Sequence, residues 1–345
     1  TINLNRKEMR KAIVLIVPLL VIIIGNSHAQ NNVSKDYDLP QVMIRLCNIS
    51  YITDKTEKKR IVADSIKSQL SGWKLVWGPV ELADIFGITY SSMYVAKDTT
   101  KDAYAVVIRG TDPTSLKSWL GEDFEIHKSV KFSKFVPAPA AAKISEGTCK
   151  GLDDLIQLKD PEKEGTVVSF LKNELQMKKM NSLFVTGHSL GGTLTPAFYM
   201  YLCYKLFGGP VPRGEKVTTR PYSFAGLTAG NQASNDHLKT YLQVGDEQWR
   251  YVNPFDIAPK LWDSLHAVKN IYAANGLSFG SPESEFMDYL FERAQPNNYT
   301  QPPGSERPLP AVYNPCETIW LFQALSQHHS STYIKLVDSL YRSNN

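Results

Sequence analysis

The residues best suited to chemistry lie in the segment LFVTGHSLGGTLTPAF, residues 183–198, where Ser189 stands between Gly187 and Gly191. A G-x-S-x-G pattern between a strand and a helix can present its serine at a sharp turn as a nucleophile. Glycines at both flanking positions permit the tight turn and close packing of strand on helix, because neither carries a Cβ. The alternative is a glycine-rich turn without chemistry, so the rest of the chain must supply the partners of Ser189.

A serine hydroxyl is a weak nucleophile and acts beside a general base, most often a histidine that a carboxylate orients. Two adjacent histidines, His328 and His329, lie in a turn before the last predicted helix, where the chain order serine, acid, histidine requires a base. Five other histidines precede the serine, belong to its motif or lack a clear position: His28, His127, His188, His237 and His266. We assign the base to His328 and keep His329 as the alternative.

The best candidate for the acid is Asp256, in the segment RYVNPFDIAPKLW. It comes just beyond a predicted strand, in a loop that Pro254 and Pro259 stiffen. Four nearby aspartates lack that position: Asp236, Asp246, Asp263 and Asp288. A helix cap or an ordinary turn residue is the other reading of Asp256. The order Ser189, Asp256, His328 suits a hydrolase built on a parallel sheet.

The elements that must position these residues alternate between strands and helices. Apolar runs predict strands at 88–98, 102–110, 183–186, 215–227 and 247–256, and helical spacing is found at 36–71, 165–178 and 316–343. Such alternation is typical of an α/β fold with a mostly parallel central sheet flanked by helices. Residues 279–316 interrupt it with a proline-rich latter half, and we interpret them as an irregular insertion in a single domain spanning 30–345.

The first 29 residues have the layout of a secretory signal peptide. Four basic residues precede an apolar run at 12–24, and Ser27-His28-Ala29 resembles a cleavage site. The run is shorter than the ~20 residues that span a bilayer, which disfavours the alternative of an uncleaved anchor and a membrane-tethered structural protein. Cleavage after Ala29 would make the protein secreted or periplasmic, and N-terminal sequencing of exported protein would show a start at Gln30.

The net charge limits the classes of partner that the protein could bind, and the cysteines bear on disulfides and metal binding. Removing residues 1–29 takes away four basic residues and Glu8, which lowers the formal net charge from +4 to +1. A nearly neutral protein gives no electrostatic case for nucleic acid, and nothing in the sequence implies a protein partner. The four cysteines, Cys47, Cys149, Cys203 and Cys316, allow three disulfide pairings that the sequence does not decide. None has C-x-x-C spacing, so we expect no zinc site and no other metal or cofactor.

Five segments carry a family resemblance over residues 75–340: VVIRGTDPTSLKSWLGED, GHSLGG, FAGLTAGN, VNPFDIAPKL and HHSSTYIKLV, in that order. The five segments and their order resemble those of the class 3 lipase family of α/β-hydrolases. The resemblance implies Ser189 as nucleophile, Asp256 as the orienting acid and a histidine near the C-terminus as base. Tyr333, which marks the base in relatives at a variable spacing, is compatible with both His328 and His329.

The resemblance also implies an oxyanion hole and a lid. The oxyanion donors would be the backbone amides of Thr111, at the end of a buried strand, and of Leu190, directly after the serine. The lid would follow the third strand and include Ser115, Leu116, Trp119 and Leu120. Trp119 could instead be an ordinary core residue.

These observations predict a secreted serine hydrolase for carboxylic esters, with acylglycerol lipids at a lipid–water interface as the expected substrates. Phospholipase A1 activity and hydrolysis of short or aromatic esters are the alternatives within enzymes, since pocket shape decides acyl selectivity. A binding protein on a catalytically retired hydrolase fold is the alternative from another class. An intact set of serine, acid and histidine argues against that alternative.

Overall fold

The computed structural model describes residues 37–54, 56–83, 89–111, 125–163, 165–212, 215–278 and 280–342. Its helices are α1 (Leu39–Ile49), α2 (Lys58–Gln69), α3 (Glu146–Gln157), α4 (Val167–Gln176), α5 (Leu190–Phe207), α6 (Gln232–Lys239), α7 (Leu265–Asn270), α8 (Ser281–Ala294), α9 (Trp320–His328) and α10 (Ser330–Arg342). Its strands are β1 (Trp73–Ala83), β2 (Thr89–Asp98), β3 (Ala103–Ile108), β4 (Ser129–Lys131), β5 (Lys143–Ser145), β6 (Lys159–Asp160), β7 (Gly165–Thr166), β8 (Ser182–His188), β9 (Thr218–Phe224), β10 (Arg250–Val252) and β11 (Glu306–Pro308).

Seven strands form the central sheet in the order β1-β2-β3-β8-β9-β10-β11. The pairs β1-β2 and β2-β3 are antiparallel, whereas every pairing from β3 to β11 is parallel. Two small antiparallel pairs, β4-β5 and β6-β7, lie outside this sheet. The prediction of a mostly parallel sheet flanked by helices is confirmed.

Both faces of the sheet are covered, which explains why β3 is apolar along its whole length. Tyr104 and Val106 belong to the core on the side of α3, α4 and α5, while Ala105 and Val107 belong to the core beneath α1, α2 and α10. A strand whose alternate side chains enter two cores has no solvent-facing positions. The solid apolar run at 103–108 therefore indicates the middle of the sheet.

The parallel strands bring three predicted site segments to one edge. β3, β8 and β10 end at Ile108, His188 and Val252, and Ile108 pairs with Gly187 across the β3-β8 ladder. Because carboxyl ends of parallel strands meet at the same edge, the residues that follow them are neighbours in space. Ser189 follows β8 directly, and Thr111 and Asp256 lie in the first few residues after β3 and β10.

The interpretation of residues 279–316 as an irregular insertion is wrong. Its first half forms α8, with Pro282 in the first turn, where a missing N–H costs no hydrogen bond. Its second half contains β11, which pairs in parallel with β10 at the edge of the sheet. Prolines are tolerated on an edge strand, so the proline content did not exclude a strand here.

The elements that went unpredicted include β1 and α3. β1 is a long edge strand that pairs with β2 through several register shifts, and these irregularities blur its alternation of polar and apolar residues. Helix α3 begins at Glu146, directly after the short strand β5, and Ser145 caps it by accepting a hydrogen bond from the Thr148 N–H.

The predicted signal peptide and the predicted lid lie outside the described residues, so both stay predictions. Among the helices that the structure describes, none combines the length and apolar character needed to cross a bilayer. All four cysteines lie in described positions and are free thiols, with Cys47, Cys149 and Cys203 buried and Cys316 exposed.

Candidate active site

The turn between β8 and α5 holds Ser189 in a strained backbone conformation, with φ 60° and ψ −126°. Residues other than glycine rarely adopt positive φ, and such strain tends to occur at functional sites. The flanking glycines make this turn possible. A Cβ on Gly187 would lie 2.2 Å from the Gly191 carbonyl oxygen, and a Cβ on Gly191 would lie 2.2 Å from the Ile108 oxygen. Any side chain at either position would push the turn apart.

Ser189, His328 and Asp256 form a continuous hydrogen-bonded chain. The Ser189 Oγ lies 2.9 Å from His328 Nε2. On the other side of the ring, His328 Nδ1 lies 2.8 Å from Asp256 Oδ2 and 3.1 Å from Oδ1. Because a carboxylate accepts, Nδ1 carries a proton and Nε2 is free to accept one from the serine. This arrangement can activate a hydroxyl as a nucleophile.

The Asp256 carboxylate is completely buried and held by two further donors. The Ala258 N–H donates to Oδ1 at 2.9 Å, and the Tyr333 hydroxyl donates to Oδ2 at 2.8 Å. Burial, reinforced by the negative charge of Asp256, raises the pKa of Tyr333 well above its usual value, so this hydroxyl keeps its proton. With His328 included, each carboxylate oxygen is hydrogen-bonded, as a buried charge requires.

The two candidate bases have different surroundings. His328 is the last residue of α9 and its ring is buried between Ser189 and Asp256. His329 is a single extended residue between α9 and α10, with φ −59° and ψ 137°, and it is exposed. Its Nδ1 lies 2.8 Å from the Ser331 Oγ. The structure therefore brings His328, and not His329, to the serine.

The segment after β3 lies against the serine turn. A Cβ on Gly110 would lie 2.5 Å from the His188 carbonyl oxygen and 3.0 Å from the Ser189 Cβ. Thr111 is the next residue, and Leu190 begins α5 directly after Ser189. Thr111 therefore follows a residue that packs against the serine turn, and the Leu190 N–H lies at a helix N-terminus, where the helix dipole favours negative charge. The predicted lid residues Ser115, Leu116, Trp119 and Leu120 fall outside the described part of the chain.

Residues 105–264 match the family model described as lipase (class 3). Over these residues the chain resembles the class 3 lipase family. Among solved structures, M37 lipase shares 27% identity with a TM-score of 0.73, covering 87% of this chain and 92% of that one. No curated protein sequence matches the chain.

Two other solved lipases have lower TM-scores. Lip2 lipase from Yarrowia lipolytica shares 18% identity over 64% of this chain and 72% of its own, with a TM-score of 0.48. The Rhizomucor miehei triacylglyceride lipase has the same identity and coverage, with a TM-score of 0.46.

Several residues that support this candidate site were not singled out from the sequence. Tyr333 entered only as a spacing marker, and Asn253 entered only as part of a motif. Tyr51, two residues after the end of α1, contacts the His188 ring at the serine turn although 137 positions separate the two residues. Tyr51 and His188 come close because α1 packs against β8, and no local sequence pattern predicts such a contact.

The described residues were compared with the side-chain clusters that bind metal ions in proteins. Within the ranges given above, no three His, Cys, Asp or Glu side chains come together in a way that could hold a metal ion. The Cys149 thiol, for instance, has only Lys134 and Asp153 as polar neighbours, at 3.4 Å and 3.8 Å.

Proposed function

We propose that this protein, which resembles the class 3 lipase family, is a serine hydrolase for carboxylic esters of acylglycerol lipids. The observation that carries the proposal is the hydrogen-bonded chain from Ser189 through both nitrogens of His328 to Asp256. All three residues are at least 94% buried, with exposures of 3%, 6% and 0%. In surroundings with little water, a fixed carboxylate stabilises a charged imidazole more strongly than it would in solvent.

In the acylation step, the Ser189 Oγ attacks the ester carbonyl carbon while its proton passes to His328 Nε2. Asp256 keeps Nδ1 protonated and stabilises the imidazolium that forms. Negative charge then develops on the former carbonyl oxygen, and in this proposal the backbone N–H groups of Thr111 and Leu190 donate hydrogen bonds to it. The imidazolium returns its proton to the alkoxide leaving group, which departs as an alcohol and leaves an acyl group on Ser189.

In the deacylation step, water occupies the place of the alcohol. His328 removes a proton from this water, the resulting hydroxide attacks the acyl carbonyl, and the same two amides accept the second oxyanion. The proton then passes to the Ser189 Oγ, and the carboxylic acid leaves. These steps use only groups of the protein, water and the ester.

Lipid esters are proposed as substrates because the family consists of lipases and because M37 lipase matches most of both chains. Purified protein should hydrolyse p-nitrophenyl palmitate faster than p-nitrophenyl butyrate, and the rate should rise as palmitate passes from solution into emulsion. Preference for butyrate without that rise would indicate a soluble esterase. Faster release of fatty acid from phosphatidylcholine would indicate a phospholipase, and inactivity on all three would favour a retired binding protein.

Asp256→Asn should lower kcat by about 10⁴-fold, the loss typical when the acid of a triad becomes an amide. The Asn amide can donate to Nδ1, which then gives up its proton to Nε2, so that the ring can no longer accept from Ser189. Steady-state hydrolysis of p-nitrophenyl butyrate measures the loss. Asp263→Asn is the matched control, because Asp263 is exposed and bonds only the Gln301 N–H among described residues. Equal losses in both variants would contradict the role of Asp256.

A further inference from the structure

A second buried histidine, His188, adjoins the serine without belonging to the chain of Ser189, His328 and Asp256. Its Nε2 lies 2.9 Å from the backbone oxygen of His328, and its Nδ1 lies 2.9 Å from the Tyr51 hydroxyl. The ring centroids of the two histidines are 4.9 Å apart. His188 therefore contacts the residue that carries the proposed base, and it does so through that residue's backbone.

The protonation state of His188 follows from its partners. A carbonyl oxygen can only accept a hydrogen bond, so Nε2 must carry a proton. Burial, together with the nearby His328, lowers the pKa of His188 well below its usual value and keeps the ring neutral. The other nitrogen, Nδ1, then has a free electron pair and accepts from the Tyr51 hydroxyl. The His328 carbonyl thus fixes the tautomer, and the Tyr51 hydroxyl stabilises it by donating to Nδ1.

The turn that carries His328 is held at a second point by Asn253, three residues before Asp256. The Asn253 Nδ2 donates to the Gln327 backbone oxygen and to the Gln327 Oε1, each at 2.8 Å, and Asn253 is completely buried. The backbone oxygens of Gln327 and His328 belong to the last turn of α9, where carbonyls lack partners within the helix. Two successive carbonyls are thus bound by side chains from the serine turn and from the aspartate turn.

We propose that His188 is a positioning residue for the base, fixing through its Nε2–H the backbone from which the His328 imidazole projects. The inference rests on the proposed function. The imidazole must satisfy Ser189 and Asp256 at opposite nitrogens, at 2.9 Å and 2.8 Å, so a small rotation of its backbone breaks one contact or the other. Misplacement of a catalytic group by about 1 Å can cost about 100-fold in rate.

The test compares two amides at position 188. In His188→Gln, the amide nitrogen reaches roughly the place of Nε2 and can still donate to the His328 carbonyl. In His188→Asn, the shorter amide reaches only the place of Nδ1. We expect His188→Asn to lower kcat between about 10-fold and 100-fold with KM nearly unchanged, and His188→Gln to keep most of the wild-type kcat. Tyr51→Phe, which removes the hydroxyl that stabilises this tautomer, should give a kcat between those of the two amide variants.

If His188 had a purely structural role, its loss would lower the unfolding temperature and would affect kcat only through unfolding. Thermal unfolding of each variant distinguishes this role from positioning, because positioning predicts a loss of kcat in a variant that is still folded at the assay temperature. Equal kcat values for His188→Asn and His188→Gln would overturn the inference. So would a lowered unfolding temperature in His188→Asn accompanied by wild-type kcat.

A measurement that does not depend on catalysis can test the positioning role of His188 separately from the proposed hydrolase activity. The proton on His328 Nδ1, bonded to Asp256, should give a far-downfield proton resonance in NMR of the whole protein. We expect it to exchange with water faster in His188→Asn than in wild type or His188→Gln. That result with an inactive wild type would sustain the positioning role and reject the hydrolase. An active wild type whose resonance and kcat are unaffected by His188→Asn would reject the positioning role alone.

Discussion

His328→Ala is expected to lower kcat by about 10⁶-fold, the scale of loss when a serine hydrolase loses its general base. Without the imidazole, nothing within hydrogen-bonding distance of the Ser189 Oγ in the described structure can take its proton at neutral pH. Residual activity would come from the backbone amides near the serine and from substrate binding. The neighbouring substitution His329→Ala is expected to leave kcat within about twofold, because that ring is exposed and contacts Ser331 instead.

The pair of variants is its own control, since each removes an imidazole from the same turn. Initial rates on p-nitrophenyl butyrate, followed down to the rate of buffer alone, measure both. Exogenous imidazole should restore part of the activity of His328→Ala, because deleting the ring leaves space beside Ser189 and Asp256. Loss in His329→Ala with retention in His328→Ala would reverse the assignment of the base.

Ser189 and Asp256 could be proposed from the sequence as nucleophile and acid because each depends on a local pattern. Ser189 lies in a motif of strand, glycine turn and helix, and steric limits on the turn leave few residue types possible beside it. Asp256 lies in the first few residues after a strand, and the common edge of a parallel sheet makes such positions neighbours of the serine. Both inferences needed only the order of elements, and that order was largely predictable.

The choice between His328 and His329 could not be made this way. Adjacent residues share the same spacing to every other motif, and Tyr333 is compatible with both. The difference arises because α9 ends at His328 and a single extended residue precedes α10, which directs the two side chains to opposite environments. A helix boundary is uncertain by one or two residues when judged from sequence, and here one residue decides the chemistry.

The supporting network was even less accessible to sequence reasoning. Tyr51, Asn253 and Tyr333 come from three distant segments and meet only because α1, β10 and α10 pack around the end of the sheet. The same limit explains the misjudged segment 279–316, whose strand β11 exists because β10 offers it a partner. Local composition indicates where prolines are tolerated, but pairing partners are a property of the whole fold.

Ser189→Ala is expected to abolish hydrolysis, with kcat lowered by about 10⁶-fold. Alanine keeps the Cβ of serine, so the turn at φ 60° is neither relieved nor strained further, and the variant should fold like the wild type. Its unfolding temperature, compared with that of Ser331→Ala at an exposed position, checks this expectation.

Covalent labelling distinguishes a missing nucleophile from a damaged site. A p-nitrophenyl alkylphosphonate should react once with the wild type, releasing one equivalent of p-nitrophenol and leaving the phosphonyl group on Ser189. Mass spectrometry of proteolytic peptides should place that mass on the segment containing residues 183–198. Ser189→Ala should bind the reagent without reacting, because a methyl group has no oxygen to attack phosphorus. Labelling of the variant at the same rate as the wild type would place the nucleophile elsewhere, and the chain from Ser189 to Asp256 would then need another explanation.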